Sequence, residues 1–409
     1  MKVTRTRNAW SLPRTGPDLA PAVAQIVAEV QDGGDAAVLS LTERFDKAEL
    51  GPEQLRVDPN ELEASVGVLE PDVLAGLRTA IANVKAVAKA QVRNEPVTVE
   101  LPEGHRVEVV ERAVRRAAVY VPGGRAPYPS TVVMGAVTAR VAGVEEIVVC
   151  APPGPGGRAH PVILAACALC EVTEVYRMGG AQAIAALAFG TESVRSVDVI
   201  VGPGNPYVQE AKRQVVGRVG IDGIAGPSEL AVVASSGADA ELIALDLIAQ
   251  AEHGADSPVW CFSPDGALLD AIATAVEARG GELEGEAQLV ETSDLSKALA
   301  AVEGIAPEHL ELVGEEAEAL ADRVRNAGCL FVGAGAGTAF GDYVAGSNHV
   351  LPTGGAARFQ SALAPATFRR RMARVSLPPE AAARLAPAGA ALARAEGFPV
   401  HAESMERRA

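Results

Sequence analysis

The sequence predicts an α/β protein of two doubly wound, parallel-sheet units, with helical N-terminal and C-terminal extensions. Three observations predict it. The chain has 409 residues, 48% hydrophobic and 22% charged, which is long for one domain at roughly 100–200 residues each. Short runs rich in Val and Ile are apolar from end to end, as strands covered on both faces must be. Longer Ala-rich segments of helical period separate them, and such crossovers close right-handed over a parallel sheet.

Taken in order, residues 20–90 read as helical. Strands follow at AAVYV (117–121), EEIVVCA (145–151), VDVIVG (197–202) and ELAVVAS (229–235). Helices are expected at 131–143, 160–170, 181–189 and 206–217. A second series runs as helix 239–252, strand 258–262, helix 265–279 and strand GCLFVG at 328–333. The two series read as two α/β units and suggest a duplication. Residues 378–396 are Ala/Arg-rich and helical in period, leading to a polar tail that should fray unless it docks. With aromatics at only 4%, the core must rest on Ala, Val, Leu and Ile.

The formal net charge of −16 argues against nucleic acid or an anionic membrane as the main partner, because phosphate binding needs concentrated positive charge. An anionic cofactor would need local backbone donors instead. The N-terminal MKVTRTRNAWSLPRTG is basic without an apolar stretch, and no run approaches the ~18–20 apolar residues that span a bilayer. Five cysteines, an odd number spread through a long chain, do not form a disulfide framework, so the expected address is cytoplasmic.

The glycine fingerprint of dinucleotide binding, G-x-G-x-x-G after a strand, is absent. Gly333-Ala334-Gly335 follows a strand, but Thr338 stands at the third glycine position. Gly202-Pro203-Gly204 fails likewise, with Tyr207 there. Tight turning is the plainer reading of both.

Among six histidines, His253 lies three residues after Gln250 near the end of the 239–252 helix, on one face. Asp239 is the expected N-cap and Gly254 the expected residue beyond the C-terminus. The pair reads as half a metal site or as a solvated helix end. Pro307-Glu308-His309 sets a carboxylic acid beside an imidazole, two proton acceptors that can be tuned apart; it also suits a helix start with Pro in the first turn. In the glycine loop 341–349, Asp342 is a candidate oxygen ligand and His349 a second candidate, although Asp and Asn in such loops often cap the backbone. Glu396 and His401 lie near the C-terminus, where His401 alone reads as a surface histidine. Cys167 and Cys170 lack the two further ligands a structural zinc needs. With Cys150, Cys261 and Cys329 they read as core cysteines, which argues against a thiol nucleophile.

The stretches YVPGGRAPYPSTVVMGAVTARVAGV (120–144), MGGAQAIAALAFGT (178–191), VGPGNPYVQEAKR (201–213), GPSELAVVA (226–234), IAQAEHGADS (248–257), APEHLEL (306–312), GDYVAGSNHVLPT (341–353) and EGFPVHAESM (396–405) resemble the histidinol dehydrogenase family. They follow the family's order over nearly the whole chain. The resemblance implies zinc held by Gln250, His253, Asp342 and His401, with substrate nitrogens completing an open site. It implies Glu308 and His309 as the acid–base pair. Ser228, His309 and Glu396 join the zinc-holding residues around the substrate, and Tyr120, Gln182 and Asn205 contact NAD. It further implies incomplete Rossmann-like domains, which accords with the missing fingerprint. The C-terminal His and Glu of the family serve the other subunit's site, implying an obligate homodimer. His349 is not a ligand in the family, and Ser347 stands where many relatives carry Thr.

The implied layout is an N-terminal extension (1–19), a first α/β domain with the zinc and catalytic residues (20–119 and 230–370), a second, Rossmann-like domain with the NAD contacts (120–229), and a C-terminal segment (371–409) reaching the partner's active site. The implied reaction is oxidation of L-histidinol to L-histidine with two NAD, ending histidine biosynthesis. Rival readings are a family relative that oxidises other small polyols, a thiol-dependent aldehyde dehydrogenase and a non-catalytic zinc module.

Overall fold

The computed structural model describes residues 1–12, 18–123 and 126–409. Residues 13–17 of the basic N-terminal stretch and 124–125 of the 120–144 stretch lie outside the described residues. The strands are β1 (Lys2–Arg7), β2 (Val97–Glu100), β3 (Arg106–Ala113), β4 (Arg116–Tyr120), β5 (Glu146–Ala151), β6 (Glu174–Arg177), β7 (Val199–Val201), β8 (Gly220–Ile221), β9 (Leu230–Ala234), β10 (Val259–Ser263), β11 (Glu286–Glu291), β12 (His309–Val313), β13 (Cys329–Val332) and β14 (Arg369–Ser376).

Two of the sheets are wholly parallel. One runs β6-β5-β4-β7-β8 and the other β1-β11-β10-β9-β12-β13. Leaving aside β1 at the edge, each takes its five strands in the same spatial order: third, second, first, fourth, fifth. The two sheets answer to the two α/β series of the sequence, except that the strand at 229–235, read with the first series, is β9 of the six-stranded sheet. Strands β4, β7, β9, β10 and β12 are buried at every position, as their apolar runs require. Four crossover helices start promptly because an Asp or Asn caps them: Asn205 for Pro206–Val215, Asp239 for Ala240–Ala251, Asp265 for Gly266–Arg279 and Asp294 for Leu295–Ile305.

The N-terminal helices differ from the expected grouping of 20–119 with 230–370. Helix Ala20–Asp46 packs on Gly180–Phe189 and Pro206–Val215, while Pro71–Gln91 packs on the helical stretch that runs from Pro129 to Ala142. Val23, Val30 and Leu41 thus share one core with Ala118, Ile184 and Ile200 of the five-stranded unit. An amphipathic face reports that something covers it, but not which sheet does.

The third sheet, the antiparallel β14-β3-β2, has no counterpart in the sequence reading. Its strands alternate charge with short apolar residues, and Glu108 pairs with Arg374 at 2.7 Å while Glu111 pairs with Arg371 at 2.9 Å. The expected C-terminal helix is Pro379–Ala395, and the tail folds back as Pro399–Glu406. Ala390, Ala393 and Ala402 pack between the two with Met405, and Arg394 pairs with Glu406 at 2.8 Å. The tail therefore docks on its own helix.

The Gly-Pro-Gly after β7 is a tight turn, with Gly202 at φ +117°. A Cβ there would sit 2.1 Å from the Tyr120 carbonyl oxygen. The Gly202 amide donates to Asp222 Oδ2 at 2.7 Å, and its carbonyl accepts from the buried Lys212 Nζ at 3.0 Å. Both the dihedral and the close approach exclude a side chain. Gly202→Ala should therefore lose at least about 1–3 kcal/mol in urea unfolding; an unchanged midpoint would show that this turn tolerates a methyl group.

Candidate active site

The chain leaves β8 at Ile221 and begins β9 at Leu230. This short connector brings the carboxyl edge of the five-stranded sheet to the amino edge of the six-stranded one. It is pinned on both sides. Gln209 Oε1 accepts from the Ala225 amide at 2.9 Å, Gln360 Nε2 donates to the Asp222 carbonyl at 2.6 Å, and Thr353 Oγ1 accepts from the Gly226 amide.

Where the connector joins β9, Ser228 and Glu229 stand beside Glu308 and His309, because β9 and β12 are neighbours with Leu230 opposite His309. Pro307 follows the helix Leu295–Ile305 and leads into β12, so the Pro-Glu-His motif opens a strand and not a helix. The site thus lies at the amino edge of its sheet, whereas loops at carboxyl ends are the usual ligand sites of α/β folds.

The backbone of one residue, Glu229, braces both Glu308 and His309. The Glu229 amide donates to Glu308 Oε2 at 2.8 Å, and the Glu229 carbonyl lies 3.0 Å from His309 Nδ1. A carbonyl can only accept, so this hydrogen bond places the proton on Nδ1 and leaves Nε2 as the basic nitrogen. Nε2 lies 3.7 Å from Asp342 Oδ1. The Glu229 side chain, a residue the sequence reading gave no role, accepts from the Gly354 amide at 3.0 Å and the Glu308 amide at 3.3 Å.

A second chain of donors reaches Glu308. Gln250 Nε2 donates to Ser228 Oγ at 2.7 Å, and Ser228 Oγ donates to Glu308 Oε2 at 2.5 Å. With its NH2 so engaged, Gln250 has its amide oxygen left to offer a ligand. The helix ends at Ala251, and one further turn carries His253, whose amide donates to the Gln250 carbonyl at 3.2 Å. Gly254 takes a positive φ just beyond.

Asp342 sits near the end of helix Thr338–Tyr343. Its carbonyl accepts from His349 Nδ1 at 2.8 Å, and His349 Nε2 is 3.4 Å from Thr131 Oγ1. His349 is therefore a strut between this loop and the Pro129–Val132 helix.

Burial dominates the electrostatics. It pushes the Glu308 carboxyl up to about 8, against the Ser228 and Glu229 hydrogen bonds, with the Asp342 charge adding to the rise. It pushes Glu229 up to about 7. It holds His309 below the usual imidazole range, although the Asp342 charge pulls the other way. A neutral imidazole beside a hard-to-ionise carboxyl gives two bases of separate strength, as sequential proton transfers require.

The structure thus gathers Ser228, Gln250, His253, Glu308, His309 and Asp342. Among the described residues, no group of three or more His, Cys, Asp and Glu side chains is set to hold a metal. By chemistry the Gln250 amide oxygen, the His253 imidazole and the Asp342 carboxylate would suit zinc as a nitrogen–oxygen donor set. Glu396 and His401 are not brought to it. Both lie exposed on the C-terminal hairpin, where His401 rests against the Phe398 ring at 5.2 Å.

Tyr120, Gln182 and Asn205 gather at the carboxyl edge of the five-stranded sheet. Tyr120 ends β4, and Asn205 follows the adjacent β7, so they flank the point where strand order reverses. The Tyr120 hydroxyl accepts from the Gly180 amide at 3.1 Å, and the buried Gln182 Nε2 donates to Asp46 at 3.5 Å. Asn205 is the exposed member and caps its helix. All five cysteines are free, and burial raises their thiols, Cys170 and Cys261 up to about 12. This accords with core cysteines.

A family model described as histidinol dehydrogenase matches residues 14–409. The histidinol dehydrogenase of Cereibacter sphaeroides is 45% identical over 404 residues, covering 96% of this chain and 92% of its own. That of Ruegeria pomeroyi is 44% identical over 402 residues, with the same coverage. The crystal structure of histidinol dehydrogenase from Elizabethkingia anophelis aligns at a TM-score of 0.92 and 30% identity, over 100% of this chain and 98% of that one.

The raised Glu308 carboxyl has a stability consequence. Between the ordinary carboxylate range and about 8, the folded protein keeps a proton that the unfolded chain has lost. Metal-free stability should therefore fall as pH rises through that window. Glu308→Gln should lessen the fall, by up to about 1.4 kcal/mol per pH unit. Urea titrations from pH 5 to 9 check this; parallel slopes for wild type and variant would overturn it.

Proposed function

The chain belongs to the histidinol dehydrogenase family, an oxidoreductase family, and from that premise we propose that it oxidises L-histidinol to L-histidine through L-histidinaldehyde. The reaction consumes two NAD and one water and closes histidine biosynthesis. The observation that carries this reading is the Glu229 backbone, which binds Glu308 through its N–H and His309 through its C=O, beside the Gln250, His253 and Asp342 donors.

Zinc held by Gln250, His253, Asp342 and His401 of the partner subunit would supply Lewis-acid anchorage for the substrate's imidazole and amine nitrogens. NAD, met by Asn205 over Tyr120 and Gln182, would supply the hydride acceptor for each of the two oxidations. The remaining steps fall to this chain. His309, neutral and with Nδ1 tied to Glu229, takes the alcohol proton on Nε2 as the first hydride leaves. Glu308 takes a proton from water, whose oxygen adds to the aldehyde carbon while the proton held on His309 Nε2 passes to the carbonyl oxygen, giving the hydrate. His309, freed by that transfer, takes a hydroxyl proton from the hydrate as the second hydride leaves, giving the carboxylic acid, which ionises to the carboxylate. The buried pair keeps bulk water from the aldehyde between steps. Ser228 and Glu396 of the partner subunit orient the substrate.

The NAD reading rests on position at the sheet's reversal point, where α/β folds bind such cofactors. Asn205 would meet the cofactor directly, while Tyr120 and Gln182 shape the floor. The homodimer reading is supported by uncovered apolar surface on both halves of the shared site. Phe340 and Tyr343 flank Asp342 at 58% and 60% exposure, and Phe398 and Val400 flank His401 at 52% and 73%. Large exposed apolar groups around polar ligands mark a covered interface. A cytoplasmic address accords with this reaction; among the described residues no helix is long and apolar enough to cross a membrane.

Zinc-restorable formation of two NADH per L-histidinol is expected, followed by absorbance in chelator-stripped and reloaded protein. No NADH from zinc-loaded dimer would defeat the assignment. Asp342→Ala should speed zinc loss while the circular dichroism spectrum stays unchanged, and wild-type retention would remove Asp342 from the ligand set. Mixing His401→Ala subunits with His309→Ala subunits should recover activity that neither has alone. Verified subunit exchange with no recovery would contradict a shared site.

A further inference from the structure

The three elements that carry the site also carry a second polar layer, one step behind it. On helix Ala240–Ala251, Asp246 lies one turn before Gln250. On β12, Glu311 lies two residues past His309, and therefore on the same sheet face. On helix Thr338–Tyr343, Thr338 lies one turn before Asp342.

Glu311 joins this layer together. Its Oε1 accepts from both the Thr338 amide and the Thr338 hydroxyl, each at 2.9 Å. Gly337, which precedes the helix, offers no side-chain cap, so the helix start is satisfied from a neighbouring strand. A Cβ at Gly337 would sit 2.8 Å from Asp246 Oδ1, which puts the Asp246 carboxyl at the same helix start. Glu311 Oε2 is buried without a hydrogen-bond partner. Burial holds both carboxyls above their usual range, and the Asp246 charge raises Glu311 further. The reaction steps above use none of these groups.

We propose that Glu311 is a positioning residue for the oxidation. By capping the Asp342-bearing helix from the His309-bearing strand, it sets the placement of Asp342 against His309 and Gln250. The claim rests on the reading of Asp342 as a metal ligand and His309 as a base. Glu311 reaches no reacting atom; it acts through Asp342.

The test uses the full-length dimer, with Glu311→Ala, Glu311→Gln and Thr338→Val. Three quantities are read: hydrogen exchange of the 338–343 backbone in metal-free protein, the rate of zinc release to a chelator, and kcat and KM for L-histidinol. Losing a buried hydrogen-bond anchor corresponds to about tenfold or more in each local equilibrium. Glu311→Ala should accelerate exchange and zinc release about tenfold and lower kcat more than it raises KM. Glu311→Gln keeps an oxygen acceptor for Thr338 and should restore all three to within about threefold.

A folded Glu311→Ala protein with wild-type exchange and zinc release would overturn the proposal. So would a Glu311→Gln protein as impaired as the alanine variant. Should the alanine variant not fold, Thr338→Val, which removes one of the two donors at nearly constant volume, decides in its place: faster exchange and zinc release support the proposal, unchanged values reject it. Wild-type protein that forms no NADH would defeat the functional reading by itself. The exchange of metal-free protein would still show whether Glu311 anchors the helix.

Discussion

The parallel pairing of β9 with β12 is the constraint on which the site depends. With Leu230 opposite His309, the Glu229 backbone lies between the Glu308 and His309 side chains and can serve both. Its amide turns one Glu308 oxygen inward, and its carbonyl selects the His309 tautomer. A slip of one residue would turn His309 to the other face of the sheet. The acid–base geometry is thus backbone geometry, held by a ladder whose strands are buried at every position.

The placement of the site at an amino edge follows from connectivity. The two sheets share a strand order, and the chain passes from β8 to β9 through residues 222–229. That passage sets the carboxyl edge of one sheet against the amino edge of the other. The reversal point marked by Tyr120 and Asn205 then faces the connector that supplies Ser228 and Glu229. Gln209, Gln360 and Thr353 pin the connector, so the proposed cofactor edge and the proton-transfer groups are parts of one braced arrangement.

Burial does opposite work on the two bases. It disfavours charge on both, so the carboxyl gains affinity for its proton and the imidazole loses affinity for one. The carboxyl is drawn up toward the neutral range, while the imidazole is kept uncharged and free to accept a proton. Leaving a buried polar group without a partner is costly. Ser228, Gln250, Glu229 and Gly354 supply those partners here.

What the sequence by itself determined was local. Apolar strand runs, the Asp239 cap and helical periods placed many of the α/β elements to within a few residues, though not β6, β11, β12 or the helix Leu295–Ile305, and the serial motifs named the family and the residues worth watching. Short-range signals suffice for such features because strand burial, capping and helix period are set by neighbours in the chain. The tertiary structure decided what joins distant segments. It put the helices of 20–91 on the five-stranded sheet, paired Arg-rich β14 with Glu-rich β3, and made Glu229 and Glu311 structural partners of His309 and Asp342. A lone Glu inside an apolar run carries no mark of its partner some eighty residues away. Only strand pairing brings the two together, since a buried carboxyl must find its donors wherever the fold delivers them.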